Sequence, residues 1–335
     1  MSQSTPLHLR ARASLRENGF PAVLYNDAGL ATTDDVTAWI AGTQGELAGL
    51  LAHSGAILFR GFPLHSAEDF DAFVTAFGWA NFPYVESLSN AIRVNRTPRI
   101  FTANEAPAEI TIFLHHEMAQ TPVYPGKLFF FCEQPAWTGG ATQLCRSDRL
   151  WERLAVGFPA FARDCEEKGL RYSHTMPAES DTNSGMGRSW RSTLRVVDPE
   201  QAEQRLAGLG YTWGWRGDGS LRVTTPRLPA VRDLGDGRKS FFNQVIAAYC
   251  GWKDARNDPS KSITLGDGAP LDQEAVLTAV EFAEELTYDL EWRKGDVALV
   301  DNLVVLHGRR PFTGVRKLLA SLVQRMETVG IPRVS

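Results

Sequence analysis

The reading of the chain turns on Ile110-Thr-Ile-Phe-Leu-His-His-Glu-Met-Ala-Gln-Thr121. Its first half is apolar and β-branched, which predicts a strand running into a loop. Side chains alternate faces along a strand, so His115 and Glu117 are expected on one face and His116 on the other, packed behind it. An imidazole and a carboxylate side by side make two thirds of a facial metal site, and two His with one carboxylate suit a non-haem Fe(II) oxygenase. The third ligand has to be a distant His. His307 is the candidate, closing the strand-like run Asp296-Val-Ala-Leu-Val-Asp-Asn-Leu-Val-Val-Leu-His307.

Bulk properties narrow the class. The 335 residues carry a formal net charge of -4 with scattered basic residues, so neither a nucleic-acid nor a membrane surface is expected. The four cysteines, Cys132, Cys145, Cys165 and Cys250, form no CxxC and no close pair. That spacing predicts neither a zinc ribbon nor a disulfide framework, and a reduced, cytoplasmic setting is expected. The first 18 residues are polar and charged, without the apolar stretch of a secretory signal. No apolar run approaches the ~20 residues that span a bilayer.

Along the chain, residues 1–30 read as an irregular lead-in. A short helix is expected over Thr43 to His53, a buried strand over Ala56 to Phe62, and a helix N-capped by Ser66. Lys127 to Cys132 reads as a strand, and Ser147 to Leu154 and Gly157 to Lys168 as helices. Short strands are expected around Arg171–Met176, Tyr211–Trp215, Leu221–Thr225 and Ser240–Gln244, then an amphipathic helix over Gln273 to Leu286 and a last core strand from Lys317 to Val323. Residues 179–188 and 253–270 read as long surface loops of the kind that form lids or binding loops. Many short strands with few strand–helix alternations predict a mainly β, jelly-roll core with flanking helices. The distant ligands 115–117 and 307 can share a site only if the intervening chain closes one barrel. The expectation is therefore a single domain over 1–335, with its core at about 55–325.

Taken singly, H-x-E and a lone His are weak signals. Two further features strengthen them. Gly139-Gly-Ala-Thr142 follows the second strand after the ligand pair, and Arg316 follows His307 by nine positions as Arg316-Lys-Leu-Leu319. Oxygenases with a facial Fe(II) site bind 2-oxoglutarate, whose far carboxylate needs a planar, bidentate cation that Arg supplies and Lys does not. A hydroxyl such as that of Thr142 would complete the pocket.

With these landmarks the sequence resembles the taurine dioxygenase / TfdA-like superfamily of Fe(II)- and 2-oxoglutarate-dependent oxygenases. The resemblance runs over most of residues 55–325. It rests on Ile57-Leu-Phe-Arg-Gly-Phe62, Asp69-Phe-Asp-Ala-Phe73, His115/Glu117, Gly139-Gly-Ala-Thr142, Asp301-Asn302 leading to His307, and Arg316-Lys-Leu. It implies a double-stranded β-helix core, Fe(II) on His115, Glu117 and His307, and 2-oxoglutarate on Thr142 and Arg316. It further implies O2-dependent oxidation, in the first instance hydroxylation, of an unactivated C–H in a small polar metabolite, with release of succinate and CO2 and no protein acid–base residue.

There are departures from the family pattern. The acid is Glu rather than the commoner Asp, which is similar to clavaminate synthase and the amino-acid hydroxylases near it. The His307–Arg316 interval is short, so Arg309, Arg310 and Lys317 stand as alternative carboxylate partners. Ala320 stands where taurine dioxygenase has a second Arg, which disfavours a sulfonate, and the presence of Glu117 disfavours halogenation. Asn104, Glu105, and one of Asn243 and Gln244 are candidate substrate contacts. A zinc-dependent hydrolase and a non-enzymatic jelly-roll binding module are the competing readings, and a homo-oligomer is left open.

Overall fold

A computed structural model describes residues 11–12, 19–89, 91–103, 106–182, 184, 186–254, 256–258 and 261–328. Two sheets make the core. The larger has seven strands in the order Ala11–Arg12, Ala22–Tyr25, Ala56–Arg60, Val297–Asp301, Val123–Gln134, Lys317–Glu327 and Phe101–Thr102. The smaller has four, Tyr288–Leu290, Thr142–Arg146, Val305–Arg309 and Ile112–His115. All neighbours are antiparallel except Ala22–Tyr25 with Ala56–Arg60. This is the double-sheet jelly roll.

Both sheets are covered on both faces, and the strand sequences show why. Ala56 and Leu58, Leu128 and Phe130, and Leu318 and Ala320 pack into the layer between the sheets, against Leu144 and Val305 of the smaller one. Their alternate neighbours Ile57 and Phe59, and Phe129 and Phe131, pack outward against Ile40, Leu47, Phe70 and Phe73 of two helices. A strand buried on both faces reads as an unbroken apolar run, as Lys127-Leu-Phe-Phe-Phe-Cys132 does. The two covering helices, Thr33–Ser54 and Ala67–Ala76, each begin with a capping box, Thr32 with Asp35 and Ser66 with Asp69. Leu114, Cys145 and Leu306 of the smaller sheet pack outward on the helices Ser147–Gly157 and Gln273–Leu286.

Several expectations need correction. Within residues 1–30, Ala22–Tyr25 is a sheet strand rather than irregular chain. The helix expected from Thr43 begins at Thr33, where the Thr32–Asp35 box starts it. Of Ser240–Gln244 only Ser240 lies in a strand; residues 241–244 turn into the helix Val245–Gly251. The second surface loop contains the strand Ile263–Leu265, paired with Leu170–Tyr172. The helix Pro199–Gly208, N-capped by Asp198, lies where only strands were expected.

The run from Asp296 to His307 is not one strand. Val297–Asp301 belongs to the larger sheet and Val305–Arg309 to the smaller, so the turn at 302–304 carries the chain across the sandwich. Asp301 caps this turn, its carboxylate accepting from the Leu303 N–H at 3.0 Å. The fully buried Asn302 fastens the turn to the segment after His115. Its Oδ1 accepts from the Glu117 N–H at 2.8 Å, and its Nδ2 donates to the carbonyls of Glu117 at 3.0 Å and Pro125 at 2.7 Å.

Asn302→Ala strands these buried partners, and unsatisfied buried groups cost about 1–3 kcal/mol each. A stability loss of about 2–4 kcal/mol is expected from the urea midpoint at unchanged slope. A midpoint equal to wild type would show that the clamp contributes nothing.

Candidate metal centre

His115 is the last residue of the strand Ile112–His115, and His307 lies directly opposite it on the adjacent antiparallel strand. Directly paired residues share a face, so the two rings meet, their centroids 4.3 Å apart. Gly308 makes this approach feasible, since a Cβ there would lie 2.6 Å from the Ile112 carbonyl oxygen. Glu117 does not lie on the strand, as its sequence predicts, but in the turn that follows, ahead of Met118 at a left-handed φ of 60°. Its Oε2 nevertheless comes within 3.6 Å of His307 Nε2. One ligand atom from each of His115, Glu117 and His307 lies within 4.8 Å of the others.

The protonation states suit metal binding. Burial, and next the neighbouring His307, push His115 down to about 4. Its Nδ1–H donates to the Phe113 carbonyl at 2.8 Å, leaving the Nε2 lone pair free. Burial alone would raise the carboxyl of Glu117, but Arg93 and His307 together hold it well below the usual carboxylate range. Arg93 Nη2 donates to both Glu117 oxygens, at 3.2 and 3.1 Å. Two imidazoles and an ionised carboxylate converging in a buried pocket are the donor set that non-haem iron takes. His116 faces away. It is fully buried, donates from Nδ1 to the Asn302 carbonyl and packs on Phe242 with ring centroids 4.8 Å apart.

A cavity of about 470 Å3 opens beside the triad, with His115 and His307 in one wall and Thr142 and Arg316 in another. Arg316 gives Nε to the Gly140 carbonyl at 2.9 Å and Nη2 to Thr142 Oγ1 at 3.3 Å. Trp292 Nε1 donates to the same hydroxyl at 2.9 Å, which leaves the Thr142 proton free to donate into the cavity. Gly140 sits at φ 71°, and a Cβ there would press on Arg316 Cδ at 3.1 Å. Burial pushes Arg316 down to about 10, so it stays a cation at neutral pH.

The three alternative cations are engaged elsewhere or turned outward. Arg309 lines the cavity but donates to the carbonyls of Ala106, Pro107 and Ile110. Arg310 pairs with Asp289 and Glu284, and Lys317 is exposed.

A second cavity, of about 740 Å3, meets the first at His115 and Arg93 and is lined further by Gln120, Met186, Gln244 and Trp252. Gln244 thus faces a cavity, whereas Asn243 turns away to the Ala230 carbonyl. Asn104 and Glu105 lie outside the described residues. Sequence reasoning missed Arg93 and Trp292, which sit apart from any motif. Asn302 was noted only as a neighbour of Asp301, with no sign of its grip on Glu117.

Comparison with known proteins agrees with this architecture. Residues 26–322 match the family described as taurine catabolism dioxygenase TauD, TfdA family. A clavaminate synthase-like protein of Arabidopsis thaliana is 44% identical over 274 residues, 82% of each chain. The dapdiamide synthesis protein DdaC of Enterobacter agglomerans is 26% identical over 82% of this chain and 83% of its own. Among solved structures, PvcB of Pseudomonas aeruginosa superposes with a TM-score of 0.55 at 15% identity, over 99% of this chain and 98% of its own. AAD-2, in complex with Mn(II) and N-oxalylglycine, does so at 0.53 and 15%, over 96% and 100%. The family match across most of the chain, with a relative at nearly half identity, shows that this protein belongs to the TauD/TfdA family and is an Fe(II)- and 2-oxoglutarate-dependent dioxygenase.

Proposed function

We propose that His115, Glu117 and His307 hold the Fe(II), and that Arg316 with Thr142 holds the far carboxylate of 2-oxoglutarate. The substrate is a small polar metabolite, of amino-acid-derived type, and the reaction is hydroxylation of an unactivated C–H. One observation carries this reading. Among the described residues Arg316 meets a carbonyl and a hydroxyl but no carboxylate, in a cavity that also reaches the triad. A buried cation without a counter-charge is costly, and a dicarboxylate lying between iron and guanidinium supplies one.

When bound, Fe(II) with 2-oxoglutarate and O2 supplies the oxidising chemistry: substrate C–H, 2-oxoglutarate and O2 become C–OH, succinate and CO2. The chain's residues position and shield. The Arg316 guanidinium presents parallel N–H donors to one carboxylate, and the Thr142 hydroxyl adds a donor whose direction Trp292 sets. Phe130 and Leu318 give the cavity an apolar wall that limits water. Asn302 holds the backbone of Glu117, and Arg93 holds its carboxylate, before any metal arrives.

His115 and His307 meet on neighbouring strands of one sheet, although they stand far apart in the sequence, which supports a single catalytic domain. All four cysteines are free, which supports a reducing, cytoplasmic setting. Among the described residues no helix is long and apolar enough to cross a membrane.

His115→Ala, Glu117→Ala and His307→Ala are each expected to abolish Fe(II) retention and succinate formation. Chelated wild type should regain activity with Fe(II) and not with Zn(II); recovery with Zn(II) would favour a zinc hydrolase. Arg316→Met should weaken 2-oxoglutarate by roughly 100-fold, the scale of lost charge-assisted hydrogen bonds. Arg316→Lys should fall between that variant and wild type. Anaerobic titration of the weak Fe(II)–2-oxoglutarate charge-transfer band reads this directly, and unchanged affinity in both variants would remove Arg316 from the site.

A further inference from the structure

Arg93 holds Glu117 but is neither a metal ligand nor a 2-oxoglutarate contact in the cofactor reading. Its side chain is 7% exposed and lies over the rings of Tyr84 and Phe101, at 4.7 and 5.4 Å. Among the described residues its hydrogen bonds come from Nη2, both to Glu117, and Nε is buried with no partner. It lines both cavities, standing where the cofactor space meets the larger one.

Charge sharpens the point. Fe(II) brings two positive charges against one negative from Glu117. The two negative charges of 2-oxoglutarate then meet Arg316 and Arg93. Arg309 is set aside because Glu109 opposes it. Among the described residues lining the two cavities, this leaves one positive charge in excess, in a buried site where an uncompensated charge is costly. Apart from Glu117, no acidic side chain is present among the described residues lining the larger cavity, whose walls are mainly apolar and carboxamide.

Resting on the cofactor reading above, we propose that Arg93 anchors a carboxylate of the substrate, which narrows the small polar metabolite to a monocarboxylate. Guanidinium N–H donors not committed to Glu117 take the carboxylate, while Nη2 keeps its hold on Glu117. The body of the molecule lies along Phe113, Met186 and Trp252, and its polar groups meet Gln120 and Gln244. Arg93 therefore sets both which molecules enter and which of their C–H bonds lies near the metal.

The test uses the full chain, loaded anaerobically with Fe(II) and 2-oxoglutarate, and isothermal calorimetry. The probes are acid/amide pairs: 3-phenylpropanoate with 3-phenylpropanamide, hexanoate with hexanamide, and N-acetyl-leucine with N-acetyl-leucinamide. At least one acid is expected to bind tenfold or more tighter than its amide in wild type. Arg93→Met should bring that ratio to within threefold of one, and Arg93→Lys should retain part of it. Because Arg93 also holds Glu117, the acid/amide ratio is read at saturating Fe(II) and 2-oxoglutarate, where a change in metal or co-substrate affinity does not enter it. The proposal is overturned if no acid exceeds its amide in wild type, or if the preference survives in Arg93→Met. The wild-type comparison decides even if a variant does not fold. A wild type that shows no 2-oxoglutarate band before any probe is added would instead defeat the cofactor reading.

Discussion

The centre depends on the carboxamide of Asn302. A strand pairing delivers His115 and His307 to one another, but Glu117 has left the strand and has no ladder to hold it. Asn302 replaces the ladder by taking both the N–H and the carbonyl of Glu117, with Pro125 as a third partner, in a position closed to water. Competing water is absent there, so the three bonds are strong and their loss is costly. The same residue sits at the turn that passes the chain from one sheet to the other. The connection that builds the sandwich is thus also the part that aims the carboxylate.

Buried cations are the second constraint. Arg310 spends its charge on two surface carboxylates, and Arg309 spends its donors on three loop carbonyls. Arg316 and Arg93 differ, since each lines the cavity system with donors to spare. Among the described residues Arg316 has no carboxylate partner, and Arg93 shares its own with His307. Such a site is poised for anionic ligands, because each anion that enters removes an electrostatic penalty already present in the fold.

The legible parts of the fold were those where local chemistry and burial agree. The Ser66–Asp69 box and the apolar face of Gln273–Leu286 mark their helices, and the run at 127–132 marks a strand covered on both sides. Errors fell where a local pattern carries two meanings. Asp296 to His307 is apolar on either side of Asp301-Asn302, so the periodicity of the two halves does not show that they belong to different sheets. Ser240–Gln244 is aromatic and strand-like, yet tertiary packing turns it into a helix start. Ala22–Tyr25 is too short to announce itself and becomes a strand by pairing with Ala56–Arg60.

The sequence by itself determined which chemistry is available: two imidazoles, a carboxylate, a glycine turn ending in a hydroxyl, and an arginine entering the last strand. Those are properties of residue type and order, and they are visible in one dimension. Which of four neighbouring cations faces the cavity, how Glu117 reaches the metal position from a turn, and that Arg93 stands at the junction of two cavities were decided only by tertiary structure. The reason is that each depends on how a side chain's donors are divided among partners far away along the chain, and that division is settled only when the two sheets close on one another.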